Sequence, residues 1–185
     1  MPALSLNHVS VHANDLEESA AFYVELFGMV PIARPNFAFP GRWLRVGGQQ
    51  LHLFVREEAT APIFHHMAID VDDFETVYTK VRDRGLFDRD TFGGEIIVLP
   101  DGAVQMYLRD PAGNILEVDW PSIDALDPAV VGEIRRLADS VPQTAESREA
   151  TLYHQLREPA STAGSSSSSA ATTTSAAANA SSSGG

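Results

Sequence analysis

The chain has 185 residues, 44% of them hydrophobic, enough to build one or two packed units. It carries 25 acidic against 13 basic residues, a formal charge of -12. No Lys/Arg cluster with interleaved aromatics offsets that charge, so nucleic acid and anionic membrane are poor partners. The lack of cysteine removes disulfides, thiolate metal sites and a Cys nucleophile.

The opening MPALSLNHVSV has neither a basic segment nor a long apolar run, and no stretch of about 20 apolar residues follows. A cytoplasmic location is therefore expected. Leu6 to Val11 reads as a strand, and Asp15 precedes the helical pattern EESAAFYVELFG, which ends on Gly28 as a C-cap. The stretch GRWLRVGGQQLHLFV reads as a strand pair. FHHMAID begins a second strand, Asp73 precedes the helix FETVYTKVRDRG, and AVQMYLRDPAGNILEVDW supplies another strand pair. From Asp127 the pattern DPAVVGEIRRLADSV predicts an amphipathic helix over 127–141, with Val130, Val131, Ile134, Leu137, Ala138 and Val141 on one face. A shorter helical candidate, ESREATLYHQLRE, follows Pro142, and together these form a C-terminal helical extension over 122–160. Residues 161–185 hold only Ser, Ala, Thr, Gly and Asn, and such a tract is expected to be disordered.

The chain repeats itself. Residues 6–57 laid over 64–119 give the same order of elements, with an aspartate seven positions after a histidine in each copy: His8 and Asp15, His66 and Asp73. Strand alternation puts His8, Ser10 and His12 on one face, and His66, Ala68 and Asp70 on one face of the second copy. His52 sits between Leu51 and Leu53, and Glu117 between Leu116 and Val118. If those apolar neighbours pack on helices, His8, His52, His66 and Glu117 face one interior, and four potential metal ligands converge in a concave sheet. His65 then points to the helix side or the edge, and Asp15 and Asp73 serve as helix caps.

LNHVSVHANDLEESAAFYVELFGM, HHMAIDVDDFE and especially YLRDPAGNILEV resemble the vicinal oxygen chelate superfamily, and PIARPNFAFPGRWLRVGGQQLHLF is similar to its glyoxalase-I-like members. The resemblance covers about residues 5–120. It implies an α+β fold of two tandem βαβββ modules in one domain over 1–121, with sheets curled around one divalent ion (Zn, Ni, Co, Mn or Fe). It carries over His8, His66 and Glu117 as metal ligands and puts His52 at the position of a fourth. It also implies pairing as a homodimer and a small-molecule substrate.

The chemistry implied is that of a glyoxalase-I-like lyase or isomerase acting on a small oxygenated substrate through a metal-stabilised enediolate or oxyanion. Glu117 and His52 are the candidate catalytic bases. His52 departs from the glyoxalase pattern, which generally has a glutamate there, so a histidine must serve as ligand or proton acceptor. An Fe(II)-dependent extradiol dioxygenase is the alternative enzyme, because His8, His66 and Glu117 form a two-His-one-carboxylate set and Tyr107 fits that signature's tyrosine. A non-enzymatic, ligand-sequestering module is the third reading. Candidate substrate contacts are Tyr107, Trp43, Phe37, Phe39, Arg45 and Ser10, while Arg109 and Asp110 are expected to stabilise a turn.

Overall fold

Two aspartates and two sheets organise the molecule in the computed structural model, which describes residues 5–55 and 61–153. In the first module β1 (His8–His12) leads to α1 (Leu16–Phe27), then β2 (Val30–Ile32), β3 (Gly41–Val46) and β4 (Gln49–Phe54). The second repeats this as β5 (His66–Asp70), α2 (Phe74–Asp83), β6 (Ile96–Val98), β7 (Val104–Arg109) and β8 (Ile115–Trp120). The first sheet has the order β1-β4-β3-β2, and the second has the matching order β5-β8-β7-β6 with one further strand on its outer edge. Asp15 caps α1 by accepting from the Glu17 and Glu18 amides at 2.8 and 3.0 Å. Asp73 caps α2 by accepting from the Thr76 amide at 2.9 Å.

Strand alternation decides what each sheet buries. Leu51 and Leu53 of β4, and Leu116 and Val118 of β8, belong to one core with Tyr23 and Leu26 of α1 and Phe74, Tyr78 and Val81 of α2. Each fully buried Leu contributes about 2 kcal/mol of transfer free energy. The two modules share this core, and an Asp-centred network joins them. Asp110 accepts from the Tyr23 hydroxyl at 2.9 Å, from the Asn114 amide at 2.8 Å and from Asn114 Nδ2 at 2.7 Å. Asn114 Nδ2 also donates to the His12 carbonyl at 2.7 Å. The Asp-Pro-Ala-Gly-Asn turn is thus structural, as expected of Asp110, and it ties α1 and β1 to the second sheet.

The segment after β8 differs from the helix expected over 127–141. A 3-10 turn (Ile123–Ala125) comes first, then β9 (Ile134–Arg136), α3 (Leu137–Ser140) and α4 (Ala145–Glu149). β9 pairs in parallel with β6 and completes the second sheet. The β-branched pair Val130-Val131 and Gly132 weaken a helix there, and the open edge of β6 offers backbone partners instead. Gly132 donates to the Tyr78 hydroxyl at 2.8 Å, where a Cβ would stand 2.5 Å from that oxygen. The apolar positions are accordingly split: Val131 joins the main core, Leu137 packs on the other face of the sheet, and Ile134 and Val141 stay exposed. The helix expected over ESREATLYHQLRE is only its first part, because Ala150 leaves helical geometry at ψ 140. Its last residues, and the tail over 161–185, lie outside the described residues. Among the described residues no helix is long and apolar enough to cross a membrane.

Candidate metal and substrate site

The four expected ligands occupy matching slots. Ser10 pairs with His52 in the β1–β4 register, and Ala68 pairs with Glu117 in the β5–β8 register. All four point away from the helix-packed faces, as alternation predicts. They form two pairs, one per sheet, and do not form a single cluster. Among the described residues, no three His, Asp or Glu side chains are grouped to hold a metal ion.

On the second sheet the His66 Nε2 lies 3.0 Å from Glu117 Oε2. The His66 Nδ1–H donates to the Phe64 carbonyl at 3.1 Å, which turns Nε2 toward the Glu117 carboxylate. A bare nitrogen facing a carboxylate oxygen at that distance is repulsive unless a proton or a cation lies between them. With metal–ligand distances of about 2.0–2.2 Å, adjacent donors on one ion stand about 3 Å apart. The pair therefore fits one divalent cation, with the Phe64 carbonyl fixing the imidazole tautomer. Glu117 is buried, and its Oε1 accepts from Gln105 Nε2.

On the first sheet the histidines are stacked. The His8 and His52 ring centres are 4.3 Å apart, and the indole of Trp43 covers the other face of His52 at 4.0 Å. Phe37 and Phe39 continue the stack outward, with Arg34 over both rings. The His52 Nε2–H donates to Gln50 Oε1 at 2.9 Å, leaving its Nδ1 bare, and the His8 Nδ1–H donates to Asn7 Oδ1 at 3.0 Å. Burial, and then the neighbouring His8, lower the pKa of His52 and keep it neutral. Both imidazoles have the chemistry of a ligand for a borderline divalent ion, but their parallel stacking means one ring must turn before both can meet the same ion.

β1 and β5 are the open inner edges of their sheets, and the groove they share has a volume of about 520 Å³, lined by Leu6, His8, Gln50, His66, Ala68 and Asp70. An adjoining cavity of about 270 Å³ contains Ser10, His12, His65 and His66. Each sheet thus contributes one histidine to the groove. Tyr107 lies across the strand pair from Glu117, stacked on Phe92 and edge-on to His66. Burial and the Glu117 carboxylate hold its hydroxyl protonated, well above the ordinary tyrosine value. Trp43, Phe37 and Phe39 join the His52 side, and Arg45 is exposed opposite Gln50 on β3.

Several site residues had no place in the sequence-based reading. Gln105 and Gln50 hold Glu117 and His52; cross-strand register could have found the first and same-strand alternation the second. Asp119 follows Glu117 on the same face, buried, with its Oδ1 lacking a hydrogen-bond partner. Burial, then Glu117 and Asp70, push the Asp119 carboxyl up to about 8. Tyr153, from beyond the last helix, donates to Asp70 Oδ1 at 3.1 Å, and nothing in the sequence pattern announces that contact.

The sequence pattern of the Glyoxalase/Bleomycin resistance protein/Dioxygenase superfamily matches residues 5–118. "Glyoxylase I 4" of Arabidopsis thaliana is 30% identical over 172 residues, covering 84% of this chain and 93% of the plant protein. That coverage cannot be reached without part of the segment beyond residue 118. Among solved structures, a glyoxalase family protein from Bacillus anthracis is 26% identical with a TM-score of 0.53, over 64% of this chain and 96% of that one. The oxidase ChaP-H2 is 29% identical with a TM-score of 0.54, over 66% of this chain and 98% of that one. With both modules in matching topology and the pattern spanning them, the chain belongs to the Glyoxalase/Bleomycin resistance protein/Dioxygenase superfamily.

Proposed function

We propose that this protein is a divalent-metal-dependent lyase or isomerase of the glyoxalase type, acting on a small oxygenated substrate. The observation that carries the reading is the His66–Glu117 pair: a tautomer-fixed imidazole and a buried carboxylate at 3.0 Å, opening on a groove that also contains His8. His66 and Glu117 would hold the ion from one side, and His8 and His52 from the other. Bound there, a Zn, Ni, Co, Mn or Fe ion supplies a Lewis acid for two adjacent substrate oxygens. Glu117 accepts a proton from the carbon beside the substrate carbonyl and returns it to the neighbouring carbon, while Gln105 keeps its carboxylate oriented. His52 has one bare nitrogen, Nδ1, so it serves either as a ligand to the ion or as a proton acceptor, and not as both at once. The Phe37, Phe39 and Trp43 stack receives the apolar part of the substrate, and Tyr107 donates to one of its oxygens.

The two pairs complete each other across a homodimer. A two-fold axis that sets the first module of one protomer against the second module of the other brings all four ligands together twice. Metal content by mass spectrometry tests the ligand set: near-stoichiometric ion in the wild type, lost in both His66→Ala and Glu117→Ala, supports it. A wild type that stays metal-free after reconstitution overturns it. A mixture of His8→Ala/His52→Ala and His66→Ala/Glu117→Ala chains tests the dimer, because mixed dimers regain one intact site. If mixing restores no metal, the site is not shared between protomers.

One observation favours a second reading. Tyr107 stands beside Glu117 and His66, and the similar fold of ChaP-H2 is that of a protein described as an oxidase. An Fe(II) ion on His8, His66 and Glu117, with His52 turned away on Trp43, would leave open positions for a catechol and oxygen. Iron as the retained metal, with oxygen uptake on catechols, would select this reading over the first.

A further inference from the structure

The segment after β9 is fastened at both ends to the face of the second sheet that presents Glu117. At its start Leu137 packs against the cluster of Ile97, Tyr107 and Ile115 on that face, apart from the main core. At its end the Tyr153 hydroxyl donates to Asp70 on β5. β9 and β5 are the opposite edges of the five-stranded sheet, roughly 19 Å apart at about 4.8 Å per strand. Between them the chain passes the β6–β7 turn over a gap of about 290 Å³ lined by Leu99, Pro100, Gln143, Ser147 and Leu152. It is a strap across one end of the ligand face.

His66 opens β5 and Asp70 closes it, and alternation puts both on the ligand face. Asp70 also lines the groove that holds His8 and His66, so a molecule that extends from Glu117 along β5 reaches the Asp70 end of that groove. Tyr153 stands at the Asp70 end, with the carboxyls of Asp119 and Asp101 also close by. We propose that Tyr153 is a specificity-determining residue: the 137–153 strap forms a wall at the Asp70 end of the groove, and the length of the substrate is set by the Tyr153 ring. The substrate part of this inference rests on the function proposed above, whereas the wall itself does not.

Because the chain lacks cysteine, one introduced thiol reports on the wall. Asp119→Cys puts it beneath the strap, and Glu18→Cys on α1 gives an exposed reference. In the full chain the thiol at position 119 should react at least about 100-fold more slowly than the reference with methyl methanethiosulfonate. Tyr153→Phe removes one hydrogen bond to a carboxylate and should speed labelling about tenfold. Tyr153→Ala should also admit a bulky pyrene maleimide, which the intact strap excludes. Labelling at 119 as fast as at 18, or indifferent to both Tyr153 variants, overturns the wall. If Asp119→Cys folds poorly, hydrogen exchange of residues 143–153 in the cysteine-free chain answers the same question. Faster exchange with Tyr153→Phe supports the latch, and identical exchange refutes it. Metal content is read in parallel, so a strapped but metal-free chain would sink the proposed function and leave the wall standing.

Discussion

On the first sheet His8 lies flat on His52 and His52 lies flat on Trp43, whereas on the second His66 meets Glu117 among carboxylates. The slots are equivalent, since His52 pairs with Ser10 and Glu117 with Ala68 at the same point of two parallel strand pairs. The chemistry is opposite. One face is neutral and aromatic, with a histidine whose pKa is lowered; the other is anionic, with Asp119 pushed up to about 8 beside Glu117. The repeated scaffold fixes where a side chain points, and the residue in the slot fixes what charge it brings. Only one face offers a divalent ion a negative charge, which makes the second sheet the dominant half of the proposed site.

That asymmetry predicts unequal losses. Glu117→Ala should weaken metal binding by at least about 100-fold, because it removes the one anionic ligand. His52→Ala should weaken it by only about tenfold, the scale of losing a neutral or supporting group. Competition against a chelator of known affinity measures both. Equal losses would mean the aromatic face contributes as much as the anionic one.

The turns entering β4 and β8 break the repeat in a second way. The first module uses the short Gly47-Gly48 turn, and the second uses a turn built on Asp110, which serves four hydrogen-bond donors. Asp110→Ala leaves Tyr23 and Asn114 without their acceptor in a buried site. It should cost about 3 kcal/mol, or about 6–12 °C in Tm for a domain of this size. Gly48→Ala meets nothing within 4 Å and should cost far less. Thermal melts of the two variants separate a turn that only connects strands from one that joins modules.

A pH series on metal-free protein exposes the acidic face alone. Asp119 has a folded pKa of about 8 against an ordinary value near 3.8, so the folded state holds a proton that the unfolded chain releases. Stability therefore falls as pH rises from about 4 to about 8, by at most about 1.4 kcal/mol per pH unit, and is greatest at the acid end of that window. Asp119→Asn should flatten this slope. A slope unchanged in Asp119→Asn would place the titrating group elsewhere.

Much of this was legible beforehand, for identifiable reasons. Period-two alternation around Leu51-His52-Leu53 and Leu116-Glu117-Val118 gave the outward face of His52 and Glu117, because the apolar neighbours do pack on the helices. The caps at Asp15 and Asp73 were readable because capping is a local contact. The division of the four candidate ligands into two pairs was not readable, since the placement of the two sheets follows from the shared core and the Asp110 network. The 127–141 segment misled for a similar reason. Its helical spacing is real, but the open edge of β6 and the Tyr78 hydroxyl at Gly132 outweigh a weak local preference. Tyr153 reaches Asp70 across more than eighty residues of sequence, a contact that no local pattern encodes.

The smallest effect concerns a place where the modules agree. Gly28 and Gly85 follow α1 and α2 with φ of 64° and 66°, and a Cβ at either would meet nothing within 4 Å. Replacement by Ala then costs only the left-handed backbone penalty, about 1 kcal/mol at each site. Lys80 and Arg84 of the second module both reach Glu25 on α1, but neither contact involves the glycine positions. Gly28→Ala and Gly85→Ala should therefore destabilise equally, and the double variant should lose about 2 kcal/mol in a denaturant melt. A double variant that departs from the sum by more than about 0.5 kcal/mol would show that the two helix ends are coupled through the α1–α2 contact. The symmetry of the repeat would then be energetic as well as geometric.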